Sequence, residues 1–212
     1  MKAAAVDEFF RRLALAEPEP RTELTYRDPF TLLVAVVLSA QATDVSVNRA
    51  TPALFKVAPN PKKMAALGAG GIQPLIQTIG LYRTKAKNVA RLAQALLENH
   101  GGQVPHDRDA LQALPGVGRK TASVVLNAVW GDPEIAVDTH VFRVSNRTGL
   151  AKGKTPEEIE RKLGKVVPAK WKRHAHHWLI LHGRYTCLAR QPKCPKCPVA
   201  DLCAYKAKTI AN

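Results

Sequence analysis

Residues 114–122 read LPGVGRKTA, and this segment is the strongest local indication of how the chain folds. Pro115 ends one helix, because proline lacks the N–H that a continuing helix needs. Gly116 and Gly118 permit a tight turn and a close approach of backbone to a ligand. The stretch therefore predicts a helical hairpin, with helices at 107–113 and 118–130.

The start of the second helix predicts an anion site, formed by Gly116, Val117, Gly118 and Arg119. The first N–H groups of a helix point outward without partners, and the helix dipole favours negative charge there. In a basic chain the natural occupant is a nucleic acid phosphate, which positions the protein without reading sequence. The same residues also suit an ordinary corner between two helices.

Lys120 lies in the first turn of the second helix and is a candidate nucleophile. The positive end of the helix dipole and the charge of Arg119 both disfavour its ammonium form. A lysine amine must be neutral to attack an electrophile. Taken alone, these residues are equally compatible with Lys120 acting as one more phosphate contact.

The charge balance indicates a polyanionic partner. The 212 residues include 32 Lys and Arg against 17 Asp and Glu, a formal charge of +15, which is typical of proteins that bind nucleic acid or an anionic membrane surface. The strongly apolar run at 30–38 is too short to span a bilayer. Residues 1–20 lack the continuous apolar segment of a signal peptide. We therefore expect a cytoplasmic, nucleoid-associated protein with no membrane partner.

Helical periodicity dominates the chain, and the alternating pattern of strands is nearly absent, so we expect an all-α fold. The segment 28–41 predicts a helix that is buried on all sides. Pro52 predicts a kink or a helix start within 43–57, and short helices are expected near 61–67 and 72–78. Segments 17–21 and 131–134 are rich in proline or charge and are candidate domain boundaries.

Asp138 is the candidate catalytic carboxylate, although Asp followed by Thr and His is also a good helix N-cap. A helix of about 12 residues after Lys120 rises roughly 18 Å. An extended segment 133–138 spans up to about 20 Å, so Asp138 can return beside Lys120. There it could accept a proton or stabilise a cationic sugar. His140 is the second candidate for such a role in the same turn, although a lone histidine is more often a structural hydrogen-bonding residue.

The cysteines are Cys187, Cys194, Cys197 and Cys203, all at the C-terminal end of the chain. In a cytosolic protein such a cluster indicates a metal site rather than disulfides. Zinc and a [4Fe–4S] cluster both accept four thiolates, and the spacing leaves the choice open. Lys193 and Lys196 would lie on the rim of this loop, where they could contact phosphates or remain solvated.

Taken together, these motifs resemble the endonuclease III family of helix-hairpin-helix DNA glycosylases. The resemblance covers essentially the whole chain. It rests on LSAQATD at 38–44, GLY at 80–82 with KA at 85–86, LPGVGRKTA at 114–122, VDTHV at 137–141 and the four cysteines.

The resemblance implies two helical domains with DNA bound across the cleft between them. One is a six-helix domain, 22–132, that carries the hairpin. The other combines 1–21 with 133–212 and holds a [4Fe–4S] cluster on Cys187, Cys194, Cys197 and Cys203. The family's properties thus favour iron over zinc, with the cluster shaping a DNA-contacting loop.

The resemblance also implies the chemistry, which acts on double-stranded DNA containing damaged bases or abasic sites. A damaged base, typically an oxidised pyrimidine, is flipped out of the duplex. The amine of Lys120 displaces it, and the resulting Schiff base permits β-elimination 3′ to the lesion, assisted by Asp138. Gln41 is expected to fill the gap in the base stack, with Leu81 as an apolar wedge.

Two other functions compete with this interpretation. An adenine glycosylase of the same superfamily would usually lack the lysine and would carry an extra C-terminal domain. A non-enzymatic binding module would use the hairpin together with a zinc site. Lys120 argues against the first, and we expect a monomeric enzyme.

Overall fold

In a computed structural model of the chain, residues 1–209 are described, and they form only helices and connecting turns, which confirms the all-α fold class. No helix in this range is both long and apolar enough to cross a membrane. In chain order the helices are α1 (Ala3–Ala16), α2 (Pro29–Ser39), α3 (Asp44–Val57), α4 (Pro61–Ile76), α5 (Tyr82–His100), α6 (Arg108–Ala113), α7 (Arg119–Trp130), α8 (Thr139–Thr148), α9 (Pro156–Val166) and α10 (Ala169–Tyr185), followed by a 3₁₀ turn at Cys194–Lys196.

The chain divides into two compact units. The hairpin unit is Thr22–Trp130 and contains α2 to α7. The cysteine unit combines Met1–Arg21 with Gly131–Asn212 and contains α1 and α8 to α10. The resemblance implied a division after residue 132, and the composition marked 131–134 as a candidate boundary. In the structure Gly131 groups with the cysteine unit and lies so close to Arg173 that a Cβ on it would be 3.2 Å from the arginine Nε.

The core of the hairpin unit is built around α2. Asp28 accepts a hydrogen bond from the backbone of Thr31, whose hydroxyl accepts one from Asp28 N, and this capping box starts the helix. Every residue from 30 to 38 is buried, which confirms the prediction of a helix enclosed on all sides. Burial of each large apolar side chain contributes about 1.5–3 kcal/mol. Because α2 packs against α3, α5 and α7, it anchors the elements that carry the hairpin.

A proline and a glycine shape helices α3 and α4. Helix α3 continues through Pro52 without ending, although proline removes one backbone hydrogen bond. Helix α4 is kinked at Gly68, where φ is 63° and the backbone leaves the helical conformation. The two short helices expected near 61–67 and 72–78 are therefore the two parts of α4.

The core of the cysteine unit forms where α1 and α8 pack against α10, and α9 packs against α8. Phe10 of α1 is fully buried, with its ring 6.2 Å from that of Trp178. Gly183 permits a close approach of α8, because a Cβ there would lie 2.8 Å from the Cβ of His140. Arg12 forms an ion pair with Asp201, with 2.6 Å between Nη1 and Oδ1, so segments far apart in sequence share one unit.

Candidate functional site

The predicted helical hairpin is present as α6 and α7, joined by a turn at 114–118. Leu114 and Val117 are buried and hold the turn against the core, and Val117 N donates to Leu114 O at 3.1 Å. Arg108 Nη1 donates to Ser123 Oγ at 3.1 Å and ties α6 to α7. The turn is therefore a fixed part of the hairpin unit, and the N-terminus of α7 has a defined position.

The two glycines of the turn differ in what the chain requires of them. Gly116 has φ 81°, and a Cβ there would lie 3.0 Å from the Cβ of Asn88 and 3.3 Å from Val37 Cγ1. Gly118 has no such constraint, because a Cβ on it would meet nothing within 4 Å. The fold thus requires glycine at 116, whereas space beside 118 is open to an external group.

Lys120 is exposed in the first turn of α7, beside exposed Arg119. Within residues 1–209 no hydrogen bond or ion pair restrains its amine. An unrestrained amine at a helix N-terminus can reach a group held on the neighbouring N–H groups. This arrangement suits both a phosphate contact and a nucleophile.

Gln41 and Leu81, also in the hairpin unit, share an unusual backbone. They are the two non-glycine residues within 1–209 with positive φ, 54° and 60°. This left-handed conformation costs a residue with a Cβ about 1–2 kcal/mol. Leu81 is also 61% exposed and directly precedes the long helix α5. Strain of this kind concentrates at functional sites. The residue types at 41 and 81 carry no local signal for it, and only the family resemblance singled them out.

Asp138 caps α8 in the cysteine unit. Its Oδ1 accepts hydrogen bonds from the backbone N–H groups of His140, at 2.9 Å, and Val141, at 2.8 Å. In the part of the chain that the structure describes, Oδ2 accepts no hydrogen bond. One carboxylate oxygen is therefore committed to the helix, and the other is available for chemistry. His140 is half-buried, with Nδ1 3.1 Å from Arg143 Nη2.

The four cysteines line one cavity in the cysteine unit, together with Arg147 and His182. Burial raises the pKa of the Cys197 thiol to about 11, and the negative charges of the other three cysteines add to this. Burial also raises the pKa of Cys203. Because metal ligands are thiolates, four of them can coexist here only with a compensating cation. The donor set therefore fits a bound metal group.

Sequence reasoning missed the polar groups around this cavity. Arg147 donates from Nη1 to Cys187 Sγ at 3.7 Å and to Leu188 O at 2.6 Å. Arg143 donates to the carbonyl oxygens of Cys187 and Gly183. His182 is buried, which lowers its pKa to about 4, and its Nε2 lies 3.7 Å from Cys197 Sγ. Two arginines four residues apart on one helix were the available signal.

Two other predicted residues, Lys193 and Lys196, are exposed on the cysteine loop. The backbone of Lys193 donates to Thr186 O at 2.8 Å, and Lys196 N donates to Lys193 O at 3.1 Å. The loop backbone is thus fixed while the two ammonium groups face solvent. Both lysines belong to the cysteine unit, whereas Lys120, Gln41 and Leu81 belong to the hairpin unit.

Comparison with known proteins gives one family. A family model described as "HhH-GPD superfamily base excision DNA repair protein" matches residues 34–169. Endonuclease III of Escherichia coli (strain K12) is 59% identical over 201 residues, which cover 95% of each protein. Endonuclease III of Rickettsia felis is 52% identical over 212 residues, 100% of each protein.

Solved structures agree. A trapped endonuclease III–DNA covalent intermediate, an estranged-adenine complex, matches with a TM-score of 0.89 and 43% identity, covering 96% of both chains. A thermostable thymine-DNA glycosylase matches with a TM-score of 0.85 and 25% identity, covering 95% of this chain and 96% of that one. The likeness includes both units.

Proposed function

The chain belongs to the endonuclease III family, within the HhH-GPD superfamily of base excision DNA repair proteins, and from this premise we propose how its residues act. It is a DNA glycosylase with AP lyase activity. The residue assignments rest on one observation above all. Lys120 presents an unrestrained amine in the first turn of α7, directly after a turn that requires Gly116.

Lys120 is the nucleophile in this proposal. Its neutral amine attacks C1′ of the damaged nucleotide, and the C1′–N bond breaks as the base departs with the bonding electrons. Loss of a proton and opening of the sugar leave a Schiff base between Nζ and C1′. Removal of a C2′ proton then expels the 3′ phosphate, which is the β-elimination that cuts the strand.

Asp138 supplies the carboxylate. Its Oδ1 is held by two backbone N–H groups of α8, which orients the carboxylate, and its Oδ2 accepts no hydrogen bond within residues 1–209. We assign it to removing the proton from Lys120 and to stabilising positive charge on the sugar. The attraction between the carboxylate and the positive charge on the sugar arises only in the transition state. It therefore raises the reaction rate and does not tighten substrate binding.

The substrate is double-stranded DNA containing an oxidised pyrimidine or an abasic site. The base leaves the stack to reach the amine, and Leu81 and Gln41 hold the opened stack apart. Their strained backbone and the 61% exposure of Leu81 support this role. A solved relative described as a trapped endonuclease III–DNA covalent intermediate, an estranged-adenine complex, supports a covalent step on DNA.

The surrounding backbone of the DNA is bound electrostatically. The N–H groups of Gly116, Val117, Gly118 and Arg119 hold one phosphate at the N-terminus of α7. His140, Lys193 and Lys196 contact the duplex on the side of the cysteine unit. The open space beside Gly118 supports a close approach of the phosphate.

The four cysteines hold a [4Fe–4S] cluster. Zinc and a [4Fe–4S] cluster both accept four thiolates, and all four thiols line one cavity. The resemblance to the endonuclease III family is what favours the four-iron cluster. When bound, the cluster shapes the loop that carries Lys193 and Lys196. Absorbance at about 400 nm and the iron content of purified protein test this assignment.

We further propose that the enzyme acts as a monomer in the cytoplasm, associated with the nucleoid. The charge of +15 supports residence on DNA. Sedimentation of the purified protein at micromolar concentration tests the first point, and a dimer would contradict it.

Borohydride trapping tests the lysine mechanism. Borohydride reduces the Schiff base to a stable amine, so the wild type should become covalently attached to a thymine-glycol duplex. Lys120→Ala should lose both trapping and strand cleavage while remaining folded, because an exposed side chain contributes little packing. Lys165→Ala, an exposed lysine in the last turn of α9, is the control and should trap normally. Strand cleavage without any trapped complex would refute the mechanism.

A further inference from the structure

His182 has an unusual place in the cysteine unit. It lies in the last turn of α10, is only 6% exposed, and its ring stands edge-on to that of Phe9 at a centroid distance of 6.5 Å. Burying an imidazole without a partner is costly. Its Nε2 faces Cys197 Sγ at 3.7 Å, which is a hydrogen-bonding distance for sulfur.

Two different parts of His182 contact two different cysteines. The ring contacts the sulfur of Cys197. The backbone carbonyl accepts hydrogen bonds from Cys187 N at 2.7 Å and Thr186 N at 3.0 Å. One residue thus lies against ligands that are ten positions apart in sequence. A side-chain substitution removes the ring contact and leaves the carbonyl contact in place, so the two can be separated.

The direction of the hydrogen bond follows from the chemistry of the ligand. A cysteine that holds iron is a thiolate, which only accepts hydrogen bonds, so Nε2 must carry the proton. An N–H group aimed at a ligand sulfur withdraws electron density from it. Such a bond stabilises the more negative, reduced state of a cluster more than the oxidised state.

We propose that His182 sets the reduction potential of the cluster by donating a hydrogen bond from Nε2 to the thiolate of Cys197. This inference rests on the proposed [4Fe–4S] cluster. His182 is a positioning residue and takes no part in removing the base. Arg147 also reaches a sulfur, but its guanidinium holds the carbonyls of Leu188 and Ala189 as well, so its replacement would disturb the loop backbone.

The test compares three variants of the full-length protein. His182→Phe keeps a planar ring against Phe9 and removes the donor. His182→Gln restores an N–H donor at a similar distance along the side chain. His177→Phe is the matched control, because His177 is also buried on α10 but its Nε2 has no hydrogen-bond partner within residues 1–209. The measurement is the reduction potential by protein-film voltammetry, after absorbance and iron content confirm the cluster.

The expected result is a lower reduction potential in His182→Phe, recovery of most of the shift in His182→Gln, and no shift in His177→Phe. Should His182→Phe lose its cluster, His182→Met supplies a second non-donor for the same comparison. Equal potentials in the wild type and in the non-donor variant would overturn the inference while leaving the cluster assignment intact. A wild-type protein without iron would overturn both.

Discussion

Gly116 and Gly118 lie two residues apart in one turn, and different causes account for each. The fold requires Gly116, because its φ of 81° and the nearby Asn88 disfavour any side chain there. At Gly118 nothing within the described chain would clash with a side chain, and its carbonyl accepts the first hydrogen bond of α7, from Ala122 N. We therefore expect glycine at 118 to serve the phosphate that we propose to bind there rather than the fold.

Replacing each glycine with alanine should separate the requirement of the fold from that of phosphate binding. Gly116→Ala should lower the free energy of unfolding by about 2 kcal/mol or more, because it adds left-handed strain and a steric conflict. Gly118→Ala should cost no more than about 1 kcal/mol, the loss of a favourable N-cap residue. It should nevertheless weaken DNA binding about tenfold, equivalent to about 1.4 kcal/mol. Urea unfolding and a fluorescence binding titration measure both effects, and unimpaired binding by Gly118→Ala would exclude the close phosphate contact.

At the scale of the element, the cap of α8 combines structure with chemistry. Asp138 was expected from sequence both to cap a helix and to act as a carboxylate, and the cap is confirmed by its two short hydrogen bonds. The catalytic role stays a prediction. Because asparagine also caps helices well, the cap and the charge can be removed independently.

Asp138→Asn should keep stability within about 0.5 kcal/mol of the wild type, whereas Asp138→Ala should lose about 1 kcal/mol with the cap. Both should slow base excision about 100-fold or more, since both remove the proton acceptor. Single-turnover rates on a defined lesion and urea unfolding measure the two quantities.

The control for the cap is Asp107, which caps α6 by accepting from Ala110 N at 2.8 Å and has no proposed catalytic role. Asp107→Ala should lose similar stability without the rate effect. If Asp138→Asn excises the base at the wild-type rate, Asp138 is only a cap.

Helix α10 also carries a buried histidine, His177, which we expect to make the unit sensitive to acid. Burial, assisted by the nearby charges of His176 and His174, lowers the pKa of His177 from 6.5 to about 3. The unfolded chain binds a proton there below about pH 6.5, and the folded protein only below about pH 3. Between these values the unfolded state holds more protons, so the free energy of unfolding falls as the pH is lowered.

His177→Phe should therefore weaken the acid sensitivity. Each pH unit within this window costs the wild type about 1.4 kcal/mol through this residue. The variant should lose less stability than the wild type between pH 6.5 and pH 4.5, as followed by urea unfolding at several pH values. Parallel stability curves for the two proteins would show that His177 does not titrate differently on unfolding.

At the scale of the whole molecule, net charge governs the encounter with DNA. The net charge of +15 results from 32 basic residues against 17 acidic ones, and many of the basic side chains are exposed. Each phosphate that the protein neutralises releases condensed cations from the duplex. Binding therefore depends on salt in proportion to the number of such contacts, independently of the lesion.

Affinity for an undamaged duplex should fall steeply with salt, and each phosphate contact contributes about −0.9 to the slope of log affinity against log salt. Lys193→Ala and Lys196→Ala should each reduce that slope by about 1. Arg11→Ala is the control, because Arg11 already pairs with Glu8 at 2.6 Å. A slope near zero for the wild type would contradict an electrostatic interface, and unchanged slopes in both lysine variants would remove the cysteine loop from it.

The sequence alone determined the features that a few adjacent residues encode. Proline and glycine mark the hairpin turn, the apolar run marks the buried helix α2, and the position after the turn places Lys120 at a helix start. The cysteine spacing indicated a metal site but left zinc and iron–sulfur open, because both accept four thiolates.

Only the tertiary structure decided the rest. The residue types at 41 and 81 do not predict a left-handed backbone, because glutamine and leucine adopt that conformation only when the surrounding structure imposes it. Likewise, Arg147 and His182 meet the cysteine sulfurs through contacts between residues 15 to 40 positions apart. Local propensity extends over one turn of chain, whereas a site built from distant segments exists only once the core has brought them together.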